Sequence, residues 1–217
     1  MASLFDTLQA QAFRAGVTAR TNASKKWFQA NVKKLGTVNR TQLLKDEALD
    51  PVQKTLYGNM YMYFYDPKWK DELPYYDRFP LSIMVEPAKG GFYGLNLHYL
   101  KPTIRAAFLD ELMATAPKKI TDKSRIRARY KLLAGARKYK EFKPCFKHYL
   151  TEHIKSRIVR VPMADWEVAI FLPTENFVKK GKSKVWADSL KIARIGTQIL
   201  SIWRRACGIF VESHFCS

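Results

Sequence analysis

Apolar residues recur at two different periods along the chain, and the switches between them divide it into segments. In the first fifty residues the period is helical: Leu4, Phe5, Leu8 and Ala12 fall on one side of a segment that Ser3 can cap and Gly16 can end. A second helix is expected over 22–35, stopped by Gly36. From 59 to 100 the pattern becomes β. Met60 to Tyr65 is an aromatic-rich run, Phe79 to Val85 is apolar, and Phe92 to Leu100 alternates Leu95, Leu97 and Tyr99 with Asn96 and His98. Gly90-Gly91 between the second and third runs predicts a tight reversal, hence an antiparallel hairpin. The connection 66–78 carries Pro67 and Pro74 and is expected to be ordered by packing its own rings.

After Pro102 the period returns to helical, with Ile104, Phe108, Leu109 and Leu112 on one face and an end near Ala116-Pro117. A second helix follows, capped by Thr121 or Asp122, with Ile126, Tyr130 and Leu133 at helical spacing. A third is expected over 143–155, with Pro144 tolerated in its first turn. Ser156 to Val161 reads as a strand. Asp165 to Leu172 is ambiguous, and the alternation of Trp166, Val168 and Ile170 favours a strand. Together these elements predict an α+β fold: a small twisted antiparallel sheet or partial barrel from 59–100 and 156–172, packed by helices from 103–155. The expected organisation is an N-terminal helical arm (1–50), an α+β core domain (51–190) and a C-terminal tail (191–217).

Composition narrows this picture. With 47% hydrophobic residues in 217, the chain can build a real core and is not wholly disordered. Cys145, Cys207 and Cys216 contain no Cys-x-x-Cys pair, so neither a disulfide framework nor a zinc knuckle is indicated, and a reducing compartment fits. The first sixteen residues lack the continuous apolar core of a secretion signal. The apolar stretch 192–210 is broken by Arg194, Arg204 and Arg205, so no transmembrane helix and no membrane partner are expected.

Charge changes the picture most. Between Lys118 and Arg160 stand fifteen lysines and arginines against three acids, a surplus of twelve out of the chain's formal +19. Crowded like charges destabilise a compact state, whereas a phosphate backbone rewards each one by releasing a counterion, so the expected partner is a nucleic acid. Arg125, Arg127, Arg129, Lys131, Arg137, Lys138 and Lys140 surround the apolar stripe of one expected helix and could lie along phosphates. A solvated face is the bland alternative, but mixed signs would serve solubility as well. No Asn or Gln among those positions reads adenine, and no helix-turn-helix or finger spacing is present, so the contact is expected to be with the backbone.

Other constellations are weaker. Tyr61, Tyr63, Tyr65, Trp69, Tyr75 and Tyr76 could stack bases, yet Asp66, Asp71, Glu72 and Asp77 nearby would repel phosphates, which favours core and interface roles. Trp69, Tyr75 and Tyr76 are the interface candidates. Asp77 and Glu86-Pro87-Ala88-Lys89 do not match a nuclease Glu-x-Lys, because two intervening residues put Glu86 and Lys89 on opposite faces of a strand. Cys145 with His148 and His153 is the one thiol–imidazole cluster, and a buried cysteine beside surface histidines is its ordinary reading. No catalysis, metal or cofactor is expected.

Three stretches, Gly58 to Lys68, Leu73 to Leu81 and Gly90 to Leu100, together with Pro144 to Leu150 and Lys184 to Ser189, resemble a family encoded by T-even-type tailed phages (myoviruses) and their marine relatives, the DNA end protectors. The resemblance covers most of 1–190 and leaves 195–217 outside. It implies a non-enzymatic virion protein that binds the ends of packaged double-stranded DNA and shields them from host exonuclease, residing in the host cytoplasm during assembly. The competing expectation is a structural neck, head–tail connector, tail or baseplate component that contacts other virion proteins, with homo-oligomerisation left open.

Overall fold

The computed structural model describes residues 3–51, 57–114 and 144–193. Six helices and eight strands are assigned among them: α1 (Leu4–Arg14), α2 (Asn22–Val32), α3 (Arg40–Leu43), β1 (Asp50–Pro51), β2 (Met60–Met62), β3 (Tyr76–Asp77), β4 (Leu81–Ala88), β5 (Gly91–Asn96), α4 (Pro102–Ala114), β6 (Phe146–Leu150), β7 (Val159–Val161), α5 (Trp166–Phe171), β8 (Phe177–Val178) and α6 (Lys182–Ala193). β1, β7, β2, β4, β5 and β6, in that order, form one open antiparallel sheet, and β3 pairs with β8 in a small second one. The fold is α+β, as expected, and the sheet does not close into a barrel.

Period-two alternation gives the sheet two different faces. Met60, Met62, Leu81, Ile83, Val85, Leu95, Val159 and Val161 point into the main core, which the helices cover. Tyr61, Tyr63, Met84, Phe92 and Tyr149 point the other way into an aromatic cluster. Within it the Tyr149 ring stands edge-on to Tyr63 and Tyr65, with centroids 5.5 and 4.9 Å apart. Gly94 makes room for that ring, since a Cβ there would lie 3.2 Å from Tyr149 Cε2.

The hairpin forms where the glycines predict it. Gly90 turns the chain at φ 73°, and Gly91 opens β5 so close to β6 that a Cβ would fall 1.8 Å from the Tyr149 carbonyl oxygen. Ser3 caps α1 by accepting from the Asp6 amide at 3.1 Å, and Thr21 and Ser24 form a reciprocal capping box on α2.

Two expectations are overturned. Residues 146–150, read as part of a helix over 143–155, form the edge strand β6, paired with β5 from Leu95–Phe146 to Gly91–Leu150. The pairing partner lies some fifty residues away, and it outweighs the local propensity on which the helix rested. Residues 166–171, favoured as a strand, form α5 instead, entered through a 3-10 turn at Met163–Asp165. All six residues of α5 are buried, so its apolar positions follow no surface period and the alternation of Trp166, Val168 and Ile170 is fortuitous.

α5 is the hub of the helical layer, in contact with α1, α2 and α4. Phe28 of α2 stacks on Phe171 at 6.4 Å, and Trp166 donates its indole N–H to the Val161 carbonyl at 2.9 Å. Buried acids secure the N-terminal helices to this hub. Glu167 accepts from the Arg20 amide (2.8 Å) and the Ser24 hydroxyl (2.5 Å), and Asp165 accepts from the Gln9 side chain. Phe5, Leu8, Ala12, Phe28 and Val32 accordingly belong to the same core as the sheet.

Candidate functional site

Arg125, Arg127, Arg129, Lys131, Arg137, Lys138 and Lys140 lie outside the described residues, as does the helix expected to carry them. Four basic residues of the charge-rich segment are described, and they divide by role. Arg160 holds Asp50 with Nη2 at 2.6 Å from Oδ2, and Arg157 donates to the Leu44 carbonyl, so both fasten the sheet to the preceding chain. Lys155 is exposed. Lys147, on the edge strand β6, enters a cleft.

That cleft, about 290 Å³, lies between the 66–78 loop and β6. Trp69, Tyr75 and Tyr76, the interface candidates, all line it, as do Tyr99 and Lys68. Their exposure differs: Trp69 is 59% exposed, Tyr75 and Tyr76 half-buried. The remaining tyrosines of the aromatic set belong to the interior, since Tyr61, Tyr63 and Tyr65 are buried in or under the sheet. Lysine ammoniums sit over the rings: Lys68 over Trp69 at 5.3 Å, Lys180 over Tyr75 at 4.8 Å and Lys147 over Tyr99 at 4.3 Å. Lys180 is neutralised by Asp188 at 2.8 Å. Lys147 has no carboxylate within ion-pair distance among the described residues, and burial depresses its pKa.

The loop is also held from outside. Lys179, at φ 70°, sends its ammonium to the carbonyls of Lys70, Asp71 and Leu73 at 2.7, 2.7 and 2.9 Å, a clamp from a distant segment that the basic run 179–184 did not suggest. The Tyr65 hydroxyl accepts from the Leu150 amide at 3.1 Å, joining the start of the loop to the edge strand.

A second group of polar residues lies beneath the cleft. Asp77 Oδ2 faces His98 Nδ1 at 2.7 Å and accepts from Asn96 Nδ2 at 3.0 Å, while Oδ1 accepts from the amides of Phe79 and Asn176 at 3.1 Å each. His98 Nε2 faces the Thr174 hydroxyl at 3.1 Å. Burial alone would raise the Asp77 carboxyl, but the His98 ring and these hydrogen bonds outweigh it and hold the pKa below the usual range. Arg105, fully buried, donates to the carbonyls of Leu100 (2.8 Å), Ile170 (3.0 Å) and His98 (3.3 Å) and to Glu175 Oε1 (2.5 Å). Burial would also raise Glu175, and the Arg105 charge overrides it and holds the carboxyl low.

Hydroxyl, imidazole and carboxylate in series are the parts of a nucleophilic relay. Here Thr174 and His98 are 0% exposed and neither lines any of the described clefts, so no substrate reaches the hydroxyl. Sequence reasoning missed this network. Alternation put Asn96 and His98 on a polar face, and only the tertiary fold shows that face to be interior.

The remaining chemical candidates separate as well. Cys145 is buried, and desolvation pushes its thiol up to about 12. His148 projects outward to the Lys89 carbonyl, and His153 Nδ1 meets the Asp66 carbonyl at 2.8 Å, so the three do not assemble. No group of three or more His, Cys, Asp or Glu that could hold a metal ion occurs among the described residues, and none of their helices is long and apolar enough to cross a membrane.

The fold and the cleft define a basic α+β protein with a sealed polar interior and an aromatic, lysine-bearing surface. A family model described as Phage T4 terminal DNA protecting protein matches residues 1–189, and the chain belongs to that family. Comparison with curated proteins and with solved structures gives no match.

Proposed function

We propose that this chain binds the ends of double-stranded DNA through backbone phosphates and shields them sterically from exonucleases, without making or breaking bonds. The family match over 1–189 carries this reading. The surplus of twelve positive charges between Lys118 and Arg160 supplies the means, because each phosphate neutralised releases a condensed counterion. Arg125, Arg127, Arg129, Lys131, Arg137, Lys138 and Lys140 are the proposed contacts. Arg157 and Arg160 are excluded from the set, since their guanidiniums hold Leu44 and Asp50.

A passive role is consistent with the state of the two nucleophile candidates among the described residues. Thr174 is inaccessible and the Cys145 thiol is kept protonated at neutral pH. Association with the virion, presence in the host cytoplasm during assembly, and contacts with other virion proteins belong to the same proposal. No cofactor is needed.

The test is exonuclease digestion of a labelled linear duplex in the protein's presence, with linear or closed circular DNA as competitor. Linear competitor should abolish protection at far lower mass than circular. Equal competition would reduce the reading to general DNA affinity. Replacing Arg125, Arg127 and Arg129 by glutamate should lower the slope of log affinity against log salt by roughly 0.9 for each phosphate no longer neutralised.

A further inference from the structure

We propose that the cleft between the 66–78 loop and β6 receives one unpaired terminal nucleotide of the DNA, its base against the Trp69 and Tyr75 rings and its phosphate at Lys147. The inference rests on the end-binding reading above and adds a site that distinguishes an end from continuous duplex. Three observations converge on it.

The first is size. At about 290 Å³ the cleft stands at the lower edge of the roughly 300–1,000 Å³ typical of small-molecule sites, which suits one nucleotide and not a run of them. The second is the lining. Aromatic faces accept any base without reading its sequence, and Trp69 is one of few large apolar side chains left exposed among the described residues.

Charge is the third. Lys147 lacks a carboxylate partner among the described residues, and Lys68 stands at the same cleft. A half-buried ammonium without a counter-ion is costly, and a phosphate would supply one. The acids that seemed to forbid phosphate are disposed of. Asp66 is paired with Lys70 at 3.1 Å, and Asp77, which lines the cleft floor, is buried with its carboxylate turned to Asn96, His98 and two amides. Asp71 and Glu72 do not line the cleft.

The cleft is also preformed on both sides. β6 is held in the sheet by its pairing with β5, and the loop is clamped by Lys179, so little conformational freedom remains to be lost on binding.

The experiment compares three DNAs with the full-length protein: a linear duplex with a single unpaired nucleotide at each end, a blunt linear duplex, and a closed circle. Trp69→Ala, which removes an exposed ring and leaves the core intact, and Lys147→Gln should each weaken binding to the overhang duplex about tenfold and leave the circle unchanged. A terminal 5-iododeoxyuridine should photo-crosslink to peptides from 65–76 or 146–150. If both variants keep the wild-type preference for the overhang, or weaken all three DNAs alike, or if the crosslink maps only elsewhere, the cleft assignment is wrong while end binding stands. If the wild type itself binds the circle as tightly as the linear duplexes, the end-binding reading fails and this inference falls with it.

Discussion

The network around Asp77 and the cleft above it are built from similar materials and behave oppositely. Both combine cations, aromatic rings and hydrogen-bonding groups, and Asp77 borders each. Below, Arg105 and Glu175, His98 and Asp77 meet their partners in pairs within a buried interior. Above, Lys147 sits over the Tyr99 ring with no carboxylate within ion-pair distance among the described residues, and Trp69 has solvent. Satisfied polar groups in a low-dielectric setting fix one geometry, whereas the proposed role of the cleft turns on a cation that a phosphate would pair.

The contrast between the two regions breaks most severely at Arg105. Arg105→Met leaves Glu175 buried without its counter-charge and should cost about 3–5 kcal/mol, measured by denaturant unfolding. Asp77→Asn should cost about 1–3 kcal/mol through mismatched hydrogen bonds to His98 and the Phe79 and Asn176 amides. It should also change the acid response. Because the folded-state pKa of Asp77 is depressed, its contribution is present above the unfolded value near 4 and is lost as pH falls through the folded value, so the variant should show a flatter loss of stability below about pH 4.

Asp165 runs with the opposite sign. Burial, reinforced by the nearby charges of Asp6, Asp46 and Asp50 and opposed by the Gln9 hydrogen bond, pushes its carboxyl up to about 6. The unfolded chain gives up this proton first, so stability should fall as pH rises from about 4 to about 6 and then level off; Asp165→Asn should remove that slope in a pH series of melting curves. The smallest effect belongs to the cleft: Trp69→Ala should shift stability by no more than about 0.5 kcal/mol, since a mostly exposed ring contributes little to the core.

What the sequence disclosed follows the range of the interactions involved. The cap at Ser3 and the reversal at Gly90 are local, and the elements they bound form as their spacing predicts; the second helix, expected over 22–35, runs Asn22–Val32 and tightens to a 3-10 turn at Lys33–Leu35. β6 and α5 depend on distant partners. One gains its structure from β5, the other from burial on every side, and neither leaves a readable period. The same limit hid the cleft. With 143–155 read as a helix, Lys147 is one more lysine in a basic run, and nothing in the order of residues sets it beside Tyr99 and Trp69. The acids near the aromatic loop are legible, but the pairing of Asp66 with Lys70 and the hydrogen bonds that enclose Asp77 are not.

Gly91 has a consequence for how this surface can vary. A side chain there would strike the Tyr149 carbonyl, and the chain could relieve the collision only by moving β6 outward. Lys147 and His148 ride on that strand, so a substitution at a residue that does not itself line the cleft would widen it and lift its cation away from the Tyr99 face. The side-chain hydrogen of Gly91 thus permits the approach of β5 and β6, and a larger residue at this position should disturb the edge strand and the cleft beside it.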